Sequence, residues 1–217
     1  MARIEHIQPE WLEQELRHFV IALGGGILLG AVAVVLVPEG LAGMNRSPLG
    51  VVFMLAGGVL FFAIEKLMGL RRREAPQLMG MLLDYIPEAV ALGGMLATGA
   101  PVAPLLALLI GLQNLPEGFN AYRELVPLNG NSPSRTLRAM SMLVLLGPVA
   151  GVAGYWFLSD RPEVLGALML LAAGGILYLI FQDIAPQSRL KRHWAPPLGA
   201  VIGFGVAMLG SQLTHPV

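Results

Sequence analysis

Apolar residues along this chain are gathered into blocks of roughly 20, separated by short polar stretches. A helix of about 20 residues crosses the roughly 30 Å hydrocarbon core of a bilayer. The blocks, labelled A to G, cover residues 18–37, 49–67, 77–96, 101–121, 138–158, 163–183 and 195–213. No stretch between them is long enough for a soluble domain. The pattern predicts an all-α polytopic membrane protein of about seven transmembrane helices, with a single transmembrane domain over 18–217.

Composition agrees with a membrane protein and excludes several other classes. Only 13% of the residues are charged, whereas a soluble domain carries about 25%. The formal net charge of zero gives no argument for nucleic-acid binding. The absence of cysteine excludes disulfides and thiolate metal sites. Residues 1–17 are too charged to be the apolar region of a cleaved signal peptide, and we expect an amphipathic segment lying at the membrane surface.

The basic residues predict the orientation. Seven crossings put the N-terminus and the B–C, D–E and F–G loops on one side, together with 12 of the 14 Lys and Arg residues. Only Arg46 and Arg161 fall on the other side. The positive-inside rule then places the N-terminus in the cytosol and the C-terminus outside the cell (inner or plasma) membrane.

Two pairs of segments share sequence patterns. Segments A and F share a Gly-Gly-Ile-Leu core and a proline near the far end. Segments C and D share the pattern Leu-polar-polar-aliphatic-Pro-Glu-small, as LDYIPEA at 83–89 and LQNLPEG at 112–118. In the predicted topology the members of each pair run in opposite directions. The pattern therefore predicts an inverted-topology repeat.

The C and D segments each carry a glutamate inside an apolar run, Glu88 and Glu117. A carboxylate near the middle of a bilayer costs at least about 2.5 kcal/mol on insertion scales. Each glutamate has a polar residue four positions earlier, Asp84 or Gln113, and residues at that spacing lie on nearly the same face of a helix. Asn114 and further polar residues extend the polar face of D.

A proline precedes each glutamate. Pro87 and Pro116 lack the N–H that would bond to the carbonyl four residues earlier, so each helix has a free carbonyl in the membrane. Facing C and D ridges would pool three carboxylates with amide and backbone oxygens. These carboxylates cannot all stay ionised without compensation by protons or a divalent cation. Oxygen ligands suit Mg²⁺, Mn²⁺ and Ca²⁺ and are acceptable for Fe²⁺ or Zn²⁺. The alternative is that these groups only bond one another across the helices.

The motifs in C and D resemble the fourth and fifth transmembrane helices of the ZIP (ZRT/IRT-like) divalent metal transporters. There a His-Asn-x-Pro-Glu-Gly pattern and a His/Gln-x-x-Pro-Glu pattern build the transport site. The stretches 84–88 and 113–117 match them, while segments A and F resemble the second and seventh helices. Asp183, with Gln182, would match an acidic position that contributes to the site. Without their first helix, ZIP proteins have seven crossings and a cytosolic N-terminus, as predicted here from charge.

The resemblance implies a carrier that moves a divalent metal toward the cytosol by alternating access. The metal (Zn, Mn, Fe or Cd) would be the substrate, and no organic cofactor is implied. The ligand set implied is Asp84, Glu88, Gln113, Asn114, Glu117, Gln182 and Asp183. The implied partners are the metal and the lipid bilayer, together with a second copy of the chain, since ZIP proteins are often dimeric.

The chain departs from the family at two positions of segment C. Asp84 stands where the family usually has histidine, which removes a nitrogen ligand and shifts the expected preference toward harder ions. Tyr85 stands where it has asparagine. Tyr85 and Asn114 occupy positions that could support a second metal in a two-metal member, so these residues argue against a binuclear centre.

Two other functional classes remain open. A membrane metal sensor or scaffold with a ZIP-like fold would bind metal, or only keep the fold, without moving ions. An intramembrane enzyme would use the carboxylates for hydrolysis. Against the enzyme, the chain has no cysteine, no histidine within the apolar cores and no HExxH motif. We therefore expect no enzymatic activity.

Overall fold

The computed structural model describes residues 10–69, 76–130, 132–190 and 194–214, and this part of the chain is helical and contains no strand. The helices are α1 (Glu10–Ala31), α2 (Val37–Gly43), α3 (Leu49–Gly69), α4 (Pro76–Thr98), α5 (Ala103–Leu128), α6 (Pro133–Val144), α7 (Leu146–Leu158), α8 (Pro162–Leu179), α9 (Ala185–Gln187) and α10 (Pro196–Thr214). Two π-helical turns, Val32–Leu36 and Ile180–Ile184, join α1 to α2 and α8 to α9.

Each predicted segment corresponds to helical structure. Six stretches are long and apolar enough to cross a membrane, which confirms the multi-pass, all-helical class. They are Gln14–Gly43, Leu49–Leu67, Leu78–Thr98, Pro133–Leu158, Pro162–Gln187 and Pro196–Thr214. The predicted segment D is α5, a helix of 26 residues that does not reach the same apolar character. Its polar residues, including Gln113 and Glu117, lower its hydropathy, so the count of seven crossings stays a prediction.

The N-terminal part of the chain is continuous with the first apolar segment. Helix α1 begins at Glu10, so the part of the expected amphipathic segment that the structure describes belongs to the same helix as segment A. Residues 1–9 lie outside the described residues.

Four helices meet at the centre, and the others flank them. Helix α5 packs on α1 and α4, and α8 packs on α4. The outer contacts are α10 along α1, α3 along α8 and α7 along α4. Glycines permit these close approaches. A β-carbon at Gly26 would collide with the backbone of Ala200, one at Gly57 with that of Leu171, and one at Gly93 with that of Gly151.

The two π turns occupy equivalent places in segments A and F. Each begins six residues before a proline, Val32 before Pro38 and Ile180 before Pro186. The N–H of Val37 donates to the carbonyl of Val32, and that of Ala185 donates to the carbonyl of Ile180. This shift from an i→i−4 to an i→i−5 pattern carries the helix past a proline that cannot donate. The sequence similarity between A and F therefore has a counterpart in the backbone.

Segment E, predicted as one helix, is divided into α6 and α7 at Leu145. The break has a local cause, because Pro148 lacks the N–H that would otherwise reach the carbonyl of Val144.

Candidate cation site between α4 and α5

Helices α4 and α5 contain their prolines, Pro87 and Pro116, within the helical span. Pro116 is buried against α1, where a β-carbon at Gly24 would lie 3.0 Å from Pro116 Cγ. Because residue 24 is glycine, α1 packs closely against α5 at Pro116, the residue that precedes Glu117.

Three polar side chains from the two helices are almost completely enclosed. Asp84 is 3% exposed, and Glu88 and Gln113 are 0% exposed. Gln113 Nε2 donates a hydrogen bond of 2.5 Å to Glu88 Oε2, which links α5 to α4. A hydrogen bond from an amide to a carboxylate is among the stronger kinds. The bond confirms that segments C and D face each other with their polar ridges.

Four buried oxygens in this region have no hydrogen-bond donor within the described chain. They are Asp84 Oδ1, Glu88 Oε1, Gln113 Oε1 and Glu117 Oε2. An unsatisfied buried polar group costs about 1–3 kcal/mol, and more when it is charged. Coulombic repulsion also acts between the carboxylates: Asp84 repels Glu88, and both repel Glu117. All four oxygens are acceptors, so protons on the carboxylates or a bound cation would relieve the group.

A cavity of about 50 Å³ lies beside two of the residues that supply these oxygens, Asp84 and Glu117. About 10–15 Å³ is enough to hold one water molecule, so the cavity can admit a small ion or a few waters. Its polar lining residues are Asp84, Glu117 and Asn120 together with Asp183 and Gln187. Gly80 lies close to Asp183, since a β-carbon there would be 3.9 Å from Asp183 Oδ2.

The structure brings together five of the seven predicted ligands. Glu88 and Gln113 are joined by their hydrogen bond, and Asp84, Glu117 and Asp183 line the same cavity. Gln182, in contrast, is exposed and lines a groove between α3 and α8. Asn114 donates to the carbonyl of Ile110 at 2.7 Å and lines a different groove, between α4, α5 and α6.

Two polar lining residues, Asn120 and Gln187, are absent from the predicted ligand set. Asn120 follows Glu117 by three positions, and Gln187 follows Asp183 by four. This spacing places each on the same helical face as its acid. The spacing rule already places Asn120 on the polar face of segment D, and the same rule would have found Gln187.

The oxygens do not form a closed set of ligands. Among the residues that the structure describes, no three Asp, Glu, His or Cys side chains stand as a ready group for a metal ion.

Comparison with known proteins adds no assignment. No model of a known protein family matches the chain, and no curated protein matches it. The ZIP resemblance rests on the motifs in segments A, C, D and F and stays a prediction.

Proposed function

We propose that the protein is a divalent metal cation transporter of the ZIP type, which moves metal toward the cytosol through the site between α4 and α5. The observation that carries the proposal is the group of four buried oxygens without donors, supplied by four residues of two facing helices. A divalent cation satisfies several acceptors at once and offsets two of the three carboxylate charges.

Each residue has a definite role in this proposal. Glu88 and Glu117 are the central ligands, and Asp84 and Gln113 complete the oxygen shell. The free Oε1 of Gln113 can turn to the ion while Nε2 keeps its bond to Glu88. Asp183 receives the ion on the cytosolic side, where Asn120 and Gln187 share the cavity wall. An all-oxygen shell accepts Mn²⁺, Fe²⁺, Zn²⁺ or Cd²⁺ as the transported ion.

The placement of the cavity relative to the charges supports a path that opens to the cytosol. The cavity is lined by Gly80 and Met81 near the start of α4 and by Gln187 at the end of α9. The B–C and F–G loops at these positions carry basic residues, which the positive-inside rule assigns to the cytosol. Farther along α4, Ala91 and Met95 are buried in an apolar core with Leu106 of α5. The proposed path is thus polar on the cytosolic side and sealed by apolar packing on the other.

An inverted repeat would supply the two states of such a carrier. If the repeat pairs segment A with F, B with G and C with D, the packing of α1 (segment A) against α10 (segment G) corresponds to the packing of α8 (segment F) against α3 (segment B). Both contacts are present, and the matched π turns agree with the same exchange. Rocking of one repeat against the other would then expose the site to either side.

The test is metal flux into proteoliposomes with Zn²⁺, Mn²⁺, Fe²⁺ and Cd²⁺. We expect saturable flux from the wild type and none from the double variant Glu88→Gln, Glu117→Gln, which keeps the side-chain shapes. Glu163→Gln is the matched control, because Glu163 is exposed in the first turn of α8, and its flux should equal that of the wild type. Metal binding without flux would favour the sensor. Neither binding nor flux from folded protein would contradict the proposal.

A further inference from the structure

Tyr85, the residue next to Asp84, points away from the cavity. It lines the grooves that α4 forms with α5, α6 and α7. Its hydroxyl donates to the carbonyl of Val144 at 3.3 Å. Val144 is the last residue of α6 and is 61% exposed, on a surface that faces lipid in a membrane protein. There is no water at that depth to satisfy a backbone carbonyl.

The carbonyl of Val144 is also the one that Pro148 leaves without its helical donor. The intervening Gly147 completes the arrangement, because a β-carbon at this position would collide with the phenol of Tyr85. Proline removes the intrahelical donor, glycine makes room, and the tyrosine of another helix supplies a hydroxyl. Phenylalanine would fill the same space without a donor.

We propose that Tyr85 is a positioning residue that fastens α4 to the break between α6 and α7, and thereby fixes the carboxylates of Asp84 and Glu88 for cation binding. A second attachment lies farther along the same helix pair, where a β-carbon at Gly154 would collide with the backbone of Val90. Two contacts along one pair of helices fix the rotation and height of α4. The carboxylates of Asp84 and Glu88 belong to the same helix and are fixed with it. The role in cation binding rests on the proposed function, whereas the attachment itself does not.

The attachment predicts a coupling between Tyr85 and Pro148. In detergent, Tyr85→Phe should lower the Tm by about 2–4 °C, the shift expected for loss of one hydrogen bond in a chain of this size. Pro148→Ala restores an N–H that can reach the carbonyl of Val144. In that background Tyr85→Phe should shift the Tm by less than half as much. Tyr155→Phe is the matched control, since the Tyr155 hydroxyl makes no hydrogen bond within the described chain, and it should leave the Tm unchanged.

The positioning role is tested by the affinity of the purified protein for Mn²⁺ and Cd²⁺. We expect Tyr85→Phe to weaken binding about fivefold, the equivalent of one lost hydrogen bond. Pro148→Ala should not restore the affinity of Tyr85→Phe, because the new N–H satisfies the carbonyl of Val144 without fastening α4. A Tyr85→Phe effect on Tm that is equal in both backgrounds would overturn the attachment. A normal affinity in Tyr85→Phe would overturn the positioning role. Wild-type protein that binds neither metal contradicts the proposed function, and the Tm cycle then decides the attachment alone.

Discussion

Helices α4 and α5 carry the same proline–glutamate pattern, but the surroundings of their glutamates differ. Glu88 of α4 is completely buried and accepts a hydrogen bond from Gln113. Glu117 of α5 is partly exposed and forms part of the cavity wall. The pattern places an acid at the same helical position twice, and neighbouring helices decide whether that acid is fixed or accessible. We infer that Glu88 is the anchored ligand and Glu117 the one that meets an entering ion.

The outer face of α4 is also more enclosed than the outer face of α5. Gly93 of α4 lies against the backbone of Gly151 in α7. A β-carbon added at Gly111 or Gly118 of α5 would meet no atom within 4 Å, so that face of α5 is open within the described residues. Helix α4 is therefore held on both sides, whereas α5 is held mainly by α1 and α4.

The largest effect should come from a β-carbon added to the enclosed face. We expect Gly93→Ala to destabilise the protein by about 3 kcal/mol, because the backbone of Gly151 cannot yield as a flexible side chain would. Gly111→Ala on α5 should be neutral or stabilising by up to about 1 kcal/mol, since alanine favours the helix. Chemical or thermal unfolding in detergent measures both. Equal losses in the two variants would contradict the contrast between the helices.

Two smaller effects on stability, opposite in sign, should distinguish Glu88 from Glu117. Gln113→Leu removes the donor to Glu88 and should destabilise metal-free protein by about 1–3 kcal/mol. Glu117→Gln should raise the Tm of metal-free protein, because a neutral amide does not carry the cost of burying an acid next to Asp84 and Glu88. A lower Tm for Glu117→Gln would show that this carboxylate already has a stabilising partner.

Metal preference should change with the ligand type at position 84. Asp84→His exchanges a carboxylate for an imidazole, which suits Zn²⁺ better than Mn²⁺. We expect the ratio of zinc to manganese affinity to rise about tenfold, equivalent to ~1.4 kcal/mol. Competition binding measures the ratio, with Asp84→Asn separating the loss of charge from the gain of nitrogen. An unchanged ratio would place Asp84 outside the coordination shell.

The smallest effects should come from the two predicted ligands that lie outside the cavity. Asn114→Ala and Gln182→Ala should each change stability by less than about 0.5 kcal/mol and leave metal affinity near that of the wild type. Loss of binding in Gln182→Ala, measured by the same assay, would mean that the π turn reorients when metal binds.

The helices and the central pair of acids could be predicted from the sequence because they depend on local rules. Blocks of apolar residues give the helices, and the i, i+4 spacing gives the facing ridges with Asp84, Glu88, Gln113 and Glu117. The sequence could not decide which side of the π turn faces the cavity, so Gln182 and Asp183 were predicted together, although only Asp183 lines it. The break at Leu145 was missed because the apolar run of segment E continues through it, and only Pro148 signals it.

The most direct test of the central claim is anomalous diffraction from crystals of the protein grown with Cd²⁺. The account predicts one anomalous peak between α4 and α5, within coordination distance of oxygens from Glu88 and Glu117, that disappears in the Glu88→Gln, Glu117→Gln variant. A cavity without a peak at saturating Cd²⁺, or a peak that persists in the variant, would contradict it.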